Sequence, residues 1–227
     1  MIISPSPAIL PGFVTMPRIL GLWLVLGSTL TAAADWPRFR GPNGTGIVED
    51  AALSTSWGSG DIVERVEIPG RGNSSPVIVK GKVYLQSAGD DGYGRMLLCY
   101  DAQTLKPLWT AKVEGQPSRT HAKNSLASGT PAADDQRVVC LFWDGREIAL
   151  HAFDHDGNAL WRQPLGSFAS QHGAGHSPIL YRDRVFVNLD QDGKAELLCF
   201  DATQGTKLWS ATRRAFRASY SCLLYTS

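Results

Sequence analysis

The sequence predicts an all-β chain of four-stranded antiparallel meanders, repeated at a period of about fifty residues. Composition is the first sign: 23 Gly, 13 Pro and 7 Trp in 227 residues, with 43% hydrophobic and 19% charged, fit a folded chain of short strands and turns better than one of long helices. Internal repetition is the second. Ser75-Pro76-Val77-Ile78-Val79, Lys82-Val83-Tyr84-Leu85, Leu97-Leu98-Cys99-Tyr100-Asp101 and Leu108-Trp109 make one unit. The next unit is Thr130-Pro131, Arg137-Val138-Val139-Cys140-Leu141, Leu150-His151-Ala152-Phe153-Asp154 and Leu160-Trp161. The last is Ser177-Pro178-Ile179-Leu180, Arg184-Val185-Phe186-Val187, Leu197-Leu198-Cys199-Phe200-Asp201 and Leu208-Trp209. Prolines are spaced by 55 and 47 residues, tryptophans by 52 and 48, and Asp precedes Trp by 8, 7 and 8. Punctuation is the third sign. Lys80-Gly81, Asp91-Gly92, Asp144-Gly145, Asp156-Gly157 and Asp192-Gly193 separate the apolar runs as hairpin turns do.

In chain order, residues 1–34 are read as upstream sequence and a signal peptide. Met16, Pro17 and Arg18 lead into the apolar run Ile19 to Leu26, then the small residues Thr31-Ala32-Ala33-Ala34, with cleavage expected after Ala34. The run is too short to span a membrane, so no span is expected after cleavage. Residues 35–72 form an amino-terminal segment in which Ile62 to Gly70 takes the slot of a last strand, with Glu64 where Trp is expected. Blades follow at 73–119, 120–167 and 168–215, and 216–221 opens another. The residues 222–227, Cys-Leu-Leu-Tyr-Thr-Ser, match the translation of a transposase adapter used in DNA library preparation and are set aside as a scar. A four-stranded sheet at this period marks a β-propeller, here an incomplete arc of about three blades plus a partial one.

The units resemble the repeats of pyrroloquinoline-quinone-like (PQQ-like) β-propellers, seen in quinoprotein dehydrogenases and in the propeller of the outer-membrane assembly machinery. That pattern has a small residue, an Asp, a Thr-Gly turn and a Trp that docks on the next blade. Cys99, Asp101, Thr104 and Trp109 keep it with Leu105 in place of Gly. Ala152, Asp154, Gly157 and Trp161 keep it one residue short, and Cys199, Asp201, Gly205 and Trp209 keep it with Gln204 in place of Thr. The opening Asp35-Trp36-Pro37-Arg38-Phe39-Arg40-Gly41-Pro42 resembles the start of secreted bacterial members. Cys99, Cys140, Cys199 and Cys222 match no metal spacing, and Cys99 and Cys199, in alternate blades, are expected to be packing residues rather than a disulfide.

Candidate chemistry is sparse. His121, Lys123, Asn124, His172 and His176 precede the first strands of blades, which in a propeller puts them near the central channel on one face. Asn188, Asp190 and Asp192 supply the start of a calcium loop followed by Gly193, but Cys199 stands where the closing Glu belongs, so a turn is the expected role. Asn43-Gly44-Thr45 and Asn73-Ser74-Ser75 are formal glycosylation acceptors read as turns. A net charge of +1 gives no field for gripping nucleic acid.

The expected function is a periplasmic or secreted binding or assembly platform, without catalysis or cofactor, meeting a protein or small molecule at the propeller face. The alternative, implied by the resemblance alone, is a PQQ- and calcium-dependent alcohol or sugar dehydrogenase whose catalytic residues lie in further blades.

Overall fold

Twelve strands among the described residues form three four-stranded antiparallel sheets, each a simple meander in chain order. The computed structural model describes residues 35–48, 55–62, 64–214 and 218. The expected leader at 1–34, the expected blade start at 216–221 apart from Ala218, and residues 222–227 lie outside them. The first sheet is β1 (Val77–Val79), β2 (Lys82–Ala88), β3 (Gly94–Asp101) and β4 (Pro107–Glu114). The second is β5 (Ala132–Ala133), β6 (Val138–Trp143), β7 (Glu147–Phe153) and β8 (Ala159–Ser167). The third is β9 (Ile179–Tyr181), β10 (Arg184–Leu189), β11 (Ala195–Asp201) and β12 (Lys207–Arg213).

Sheets that are covered on both faces need strands that are apolar on both faces. In β3 every residue from Arg95 to Tyr100 is buried, and in β7 every residue from Ile148 to Phe153. The outer strand β4 instead alternates exposed and half-buried, the period-two pattern of a strand with one covered face. Val77, Tyr84, Leu97 and Cys99 of the first sheet share a core with Ala133, Val138, Cys140 and Phe142 of the second. Val139, Leu141, Ile148 and Leu150 share another with Val185, Val187, Leu198 and Phe200 of the third. The apolar core is therefore a row of inter-blade seams. Cys99 and Cys140 are buried free thiols within the first seam, and Cys199 is a buried free thiol on β11.

Each seam is locked by a tryptophan. The Trp109 indole N–H donates to the carbonyl of His155 (2.9 Å), and that of Trp161 donates to the carbonyl of Ala202 (2.9 Å). Their rings lie over Gly157 and Gly205, where an added Cβ would stand 2.8 Å and 2.5 Å from the indole. A bulge aims them. In all three sheets the ladder slips by one residue next to the Trp, between Cys99 and Tyr100, Ala152 and Phe153, and Cys199 and Phe200. The extra residue is Leu108, Leu160 or Leu208, which is left 47%, 47% and 45% exposed while the Trp turns toward the next blade. Trp209, at the outer face of the third sheet, is 43% exposed.

Asp101, Asp154 and Asp201 hold the turns that receive these rings. Asp101 accepts the amides of Gln103 (3.1 Å) and Thr104 (2.7 Å), and Asp201 those of Thr203 (2.8 Å) and Gln204 (2.9 Å). Asp154 accepts the amide and the side-chain amide of Asn158, both at 2.8 Å. The Thr104 amide, the Asn158 side chain and the Gln204 amide are the leading reasons why these three carboxyls sit below the usual carboxylate range.

The segment at 64–68 pairs with no strand among the described residues, yet Ile68 packs on Met96, Leu98 and Tyr100, covering the free face of the first sheet. Near the amino terminus Trp36 exchanges both backbone hydrogen bonds with Ile78 (2.7 and 2.9 Å), and the carbonyl of Pro37 accepts the amide of Ala133 (2.8 Å). This segment thus ties β1 to β5. At the Asn43-Gly44-Thr45 turn, Asn43 Oδ1 accepts the amide (3.0 Å) and hydroxyl (2.7 Å) of Thr45. Among the described residues no helix is long and apolar enough to cross a membrane.

Candidate functional site

The loops ahead of the inner strands meet on one face. A row of hydroxyls fixes them there: the Ser75 amide donates to Thr130 Oγ1 (3.2 Å) and the Thr130 amide to Ser177 Oγ (3.0 Å), so equivalent positions of successive blades are bonded in series. Beside this row lies a recess of about 460 Å³ lined by Asn73, His121, Lys123, Asn124, Ser128, His172 and Gly175.

Four of the residues expected at a polar site therefore share one wall: His121, Lys123, Asn124 and His172. The rings of His121 and His172 come within 4.9 Å of each other, tilted by 51°. The His121 amide donates to the carbonyl of His172 (3.2 Å), and the Lys123 amide donates to His121 Nδ1 (3.2 Å). With Nδ1 an acceptor, the neutral ring carries its proton on Nε2. Asn124 is the clasp. Its Nδ2 donates to the carbonyls of His172 (2.6 Å) and Ala174 (3.3 Å), while Oδ1 accepts the Ser125 amide (2.9 Å) and the Ser128 hydroxyl. Gly173 (φ +86°) allows the close approach, since a Cβ there would stand 2.9 Å from the Thr120 methyl.

His176 goes elsewhere. It is buried, edge-on to Phe168 at 5.3 Å, with Nε2 donating to the carbonyl of Asp190 (3.2 Å). The Asn188-Asp190-Asp192 stretch is also occupied with local bonds. Asn188 Nδ2 donates to Asp190 Oδ2 (3.1 Å), the Arg213 guanidinium meets Asp190 Oδ1 (3.1 Å), and Asp192 Oδ1 accepts the Ala218 amide (3.1 Å). A guanidinium thus stands against the one buried carboxylate of the stretch. Among the described residues no three His, Cys, Asp or Glu side chains converge as metal ligands.

Sequence reasoning missed Asn73, Ser128 and Arg119. Asn73 Nδ2 donates to the carbonyl of Lys123 (3.1 Å). Arg119 lines a second cavity of about 620 Å³ with Thr120, His121, Ala122, Ser170 and Gln171, so His121 belongs to both spaces. The signal for Arg119 was its place in the same pre-strand loop as His121 and Lys123.

Three four-stranded meander sheets bonded in series through Trp docking and a hydroxyl row have the architecture of consecutive β-propeller blades. The family model PQQ_2, described as outer membrane protein assembly factor BamB, matches residues 146–220. That match covers about a third of the chain, from β7 through the third sheet. No curated protein matches it. Solved structures similar to it include a europium-containing methanol dehydrogenase, at 15% identity over 62% of this chain and 24% of that one (TM-score 0.46). BamB from Moraxella catarrhalis is similar at 17% identity over 67% and 44% (TM-score 0.45). The β-propeller domain of the Trilobed protease from Pyrococcus furiosus is similar at 17% identity over 60% and 43% (TM-score 0.39). The matched part of this chain spans 24% to 44% of the length of these proteins.

Proposed function

We propose that the protein is an exported, non-catalytic binding or assembly platform, and that its ligand or partner is met at the face bearing the His121–His172 recess. One observation carries this reading: Asn124 and Gly173 clamp two neighbouring pre-strand loops around a recess of about 460 Å³, so the space is held open by the fold itself. A rigid recess costs little ordering entropy when something binds, which is what a docking surface needs. The family description, an outer membrane assembly factor, and the leader-like sequence before Asp35 support export to the periplasm or beyond.

The test is a dye-reduction assay on the purified full-length chain with pyrroloquinoline quinone, calcium and a panel of alcohols and sugars. The expected result is no dye reduction above that of free quinone. Substrate-dependent reduction would replace the platform reading with the dehydrogenase. Export is checked by intact mass after expression of the precursor, with a mature terminus expected at Asp35.

A further inference from the structure

We propose that the recess and the cavity beside it form one cradle for a ligand carrying two oxyanion groups, carboxylates or phosphates; this rests on the platform reading and names its ligand class. Four cationic or protonatable side chains line the two spaces: Arg119 in one, Lys123 and His172 in the other, and His121 in both. Among the described residues neither lining contains a carboxylate. The chain as a whole carries a net charge of only +1, so this is a local concentration of positive charge rather than a share of a general one.

Backbone placement agrees. Carbonyl oxygens at the rim would repel an anion, and those of His172, Ala174 and Lys123 are capped by donors. His172 O takes the His121 amide and Asn124 Nδ2, Ala174 O takes Asn124 Nδ2, and Lys123 O takes Asn73 Nδ2. With Nδ1 committed to the Lys123 amide, His121 presents Nε2–H as a donor. Arg119 supplies a planar fork suited to carboxylate or phosphate, and Lys123 a mobile point charge. Two cavities that share His121 suit two anionic groups a few bonds apart.

Isothermal titration of the full chain with inorganic pyrophosphate, N-acetyl-Asp-Asp-amide and acetate tests the cradle and separates the phosphate from the carboxylate source. At least one dianion should bind at about millimolar or tighter and acetate at least tenfold more weakly. Arg119→Gln and Lys123→Gln should each weaken the dianion about tenfold, the loss of one charge-assisted contact. Lys112→Gln, on β4 outside both cavities, should leave it unchanged, and all variants should unfold at the wild-type temperature. No dianion binding by roughly 20 mM, equal affinity for acetate, or equal weakening by Lys112→Gln overturns the cradle. If dye reduction is absent and the titrations are also silent, the cradle falls while the platform stands; dye reduction removes the platform whatever the titrations give.

Discussion

Gly205→Ala tests the inter-blade lock directly. Gly205 sits at φ +71°, and a Cβ built on it stands 2.5 Å from Cδ2 and 2.6 Å from Cε3 of Trp161. A left-handed Ala costs about 1 kcal/mol. Relieving the overlap costs about 1–3 kcal/mol as in any overpacked core, and if the indole withdraws it also forfeits its bond to Ala202 O, about 1 kcal/mol. The loss should therefore be about 3 kcal/mol, lowering the midpoint of thermal unfolding by roughly 6–12 °C for a chain of this size. The same turn in the first sheet provides the opposite case. Leu105 holds φ +54° and donates its amide to Asp101 O (2.9 Å), as Gly205 does to Asp201 O (2.9 Å). In the repeat register of the sequence, Glu64 stands where the Trp that would need a glycine at this turn is expected. Leu105→Gly should thus be neutral or stabilising by up to about 1 kcal/mol. Urea unfolding with unchanged slope reads both changes. If Gly205→Ala lies within about 0.5 kcal/mol of wild type, or the two variants shift in the same direction, the lock is wrongly assigned.

Three further outcomes are expected. Arg95 is fully buried and donates to the carbonyls of Trp143 (2.9 Å), Gly92 (2.7 Å) and Gln116 (3.0 Å), so Arg95→Met should cost about 3–5 kcal/mol by leaving them unpaired, read by urea unfolding. His151 is buried between Phe142 and Phe153, and burial, assisted by Arg162, lowers its pKa to about 4. Below pH 6.5 the unfolded chain protonates this imidazole while the folded one stays neutral to about pH 4, so stability falls as pH drops through that window, by about 1.4 kcal/mol per unit. His151→Leu should flatten this slope in unfolding measured from pH 7 to 4. Tyr84, buried, donates to His155 Nδ1 (2.6 Å) because His155 Nε2 must donate to Asp134 O (2.9 Å); Tyr84→Phe should cost about 1–2 kcal/mol and shift the His155 ring-nitrogen resonances.

Strand identity was legible because burial on both faces forces near-continuous apolar runs, as in Leu97-Leu98-Cys99-Tyr100, and because the Trp register keeps its period. The Leu-Trp pairs were legible only by half. Both residues read as core, and nothing local in the sequence announces the bulge that turns Leu108, Leu160 and Leu208 outward. The same division holds at the site. His121 and His172 are 51 residues apart, and the repeat alone puts their loops side by side. His176, four residues beyond His172, enters the core because the path of a Gly173-Ala174-Gly175 loop is set by what it packs on, here Phe168 and the Asp190 carbonyl. Asn124 looked like a ligand-facing residue, yet its partners at His172 and Ala174 exist only once neighbouring blades have docked.

Two separate rows of contacts hold the blades in register, and their different chemistry bears on where binding occurs. The tryptophan row lies where Trp109 and Trp161 reach His155 and Ala202, on the turns that close β7 and β11, and joins large apolar surfaces that tolerate no added methyl. The hydroxyl row from Ser75 through Thr130 to Ser177 lies at the entry to the inner strands and is polar, narrow and bonded to backbone amides. Loops rooted on the hydroxyl row can present polar side chains without weakening the apolar seams, since the seams draw their strength from elsewhere. Arg119, His121, Lys123 and His172 all sit on loops that lead to this row. Substitutions among them should therefore add to seam substitutions such as Gly205→Ala, because distant sites with no shared partners behave independently. A double variant Lys123→Gln with Gly205→Ala whose stability departs from the sum by more than about 0.5 kcal/mol would show that recess and seam are mechanically one unit, and that the face cannot vary its ligand without remaking the fold.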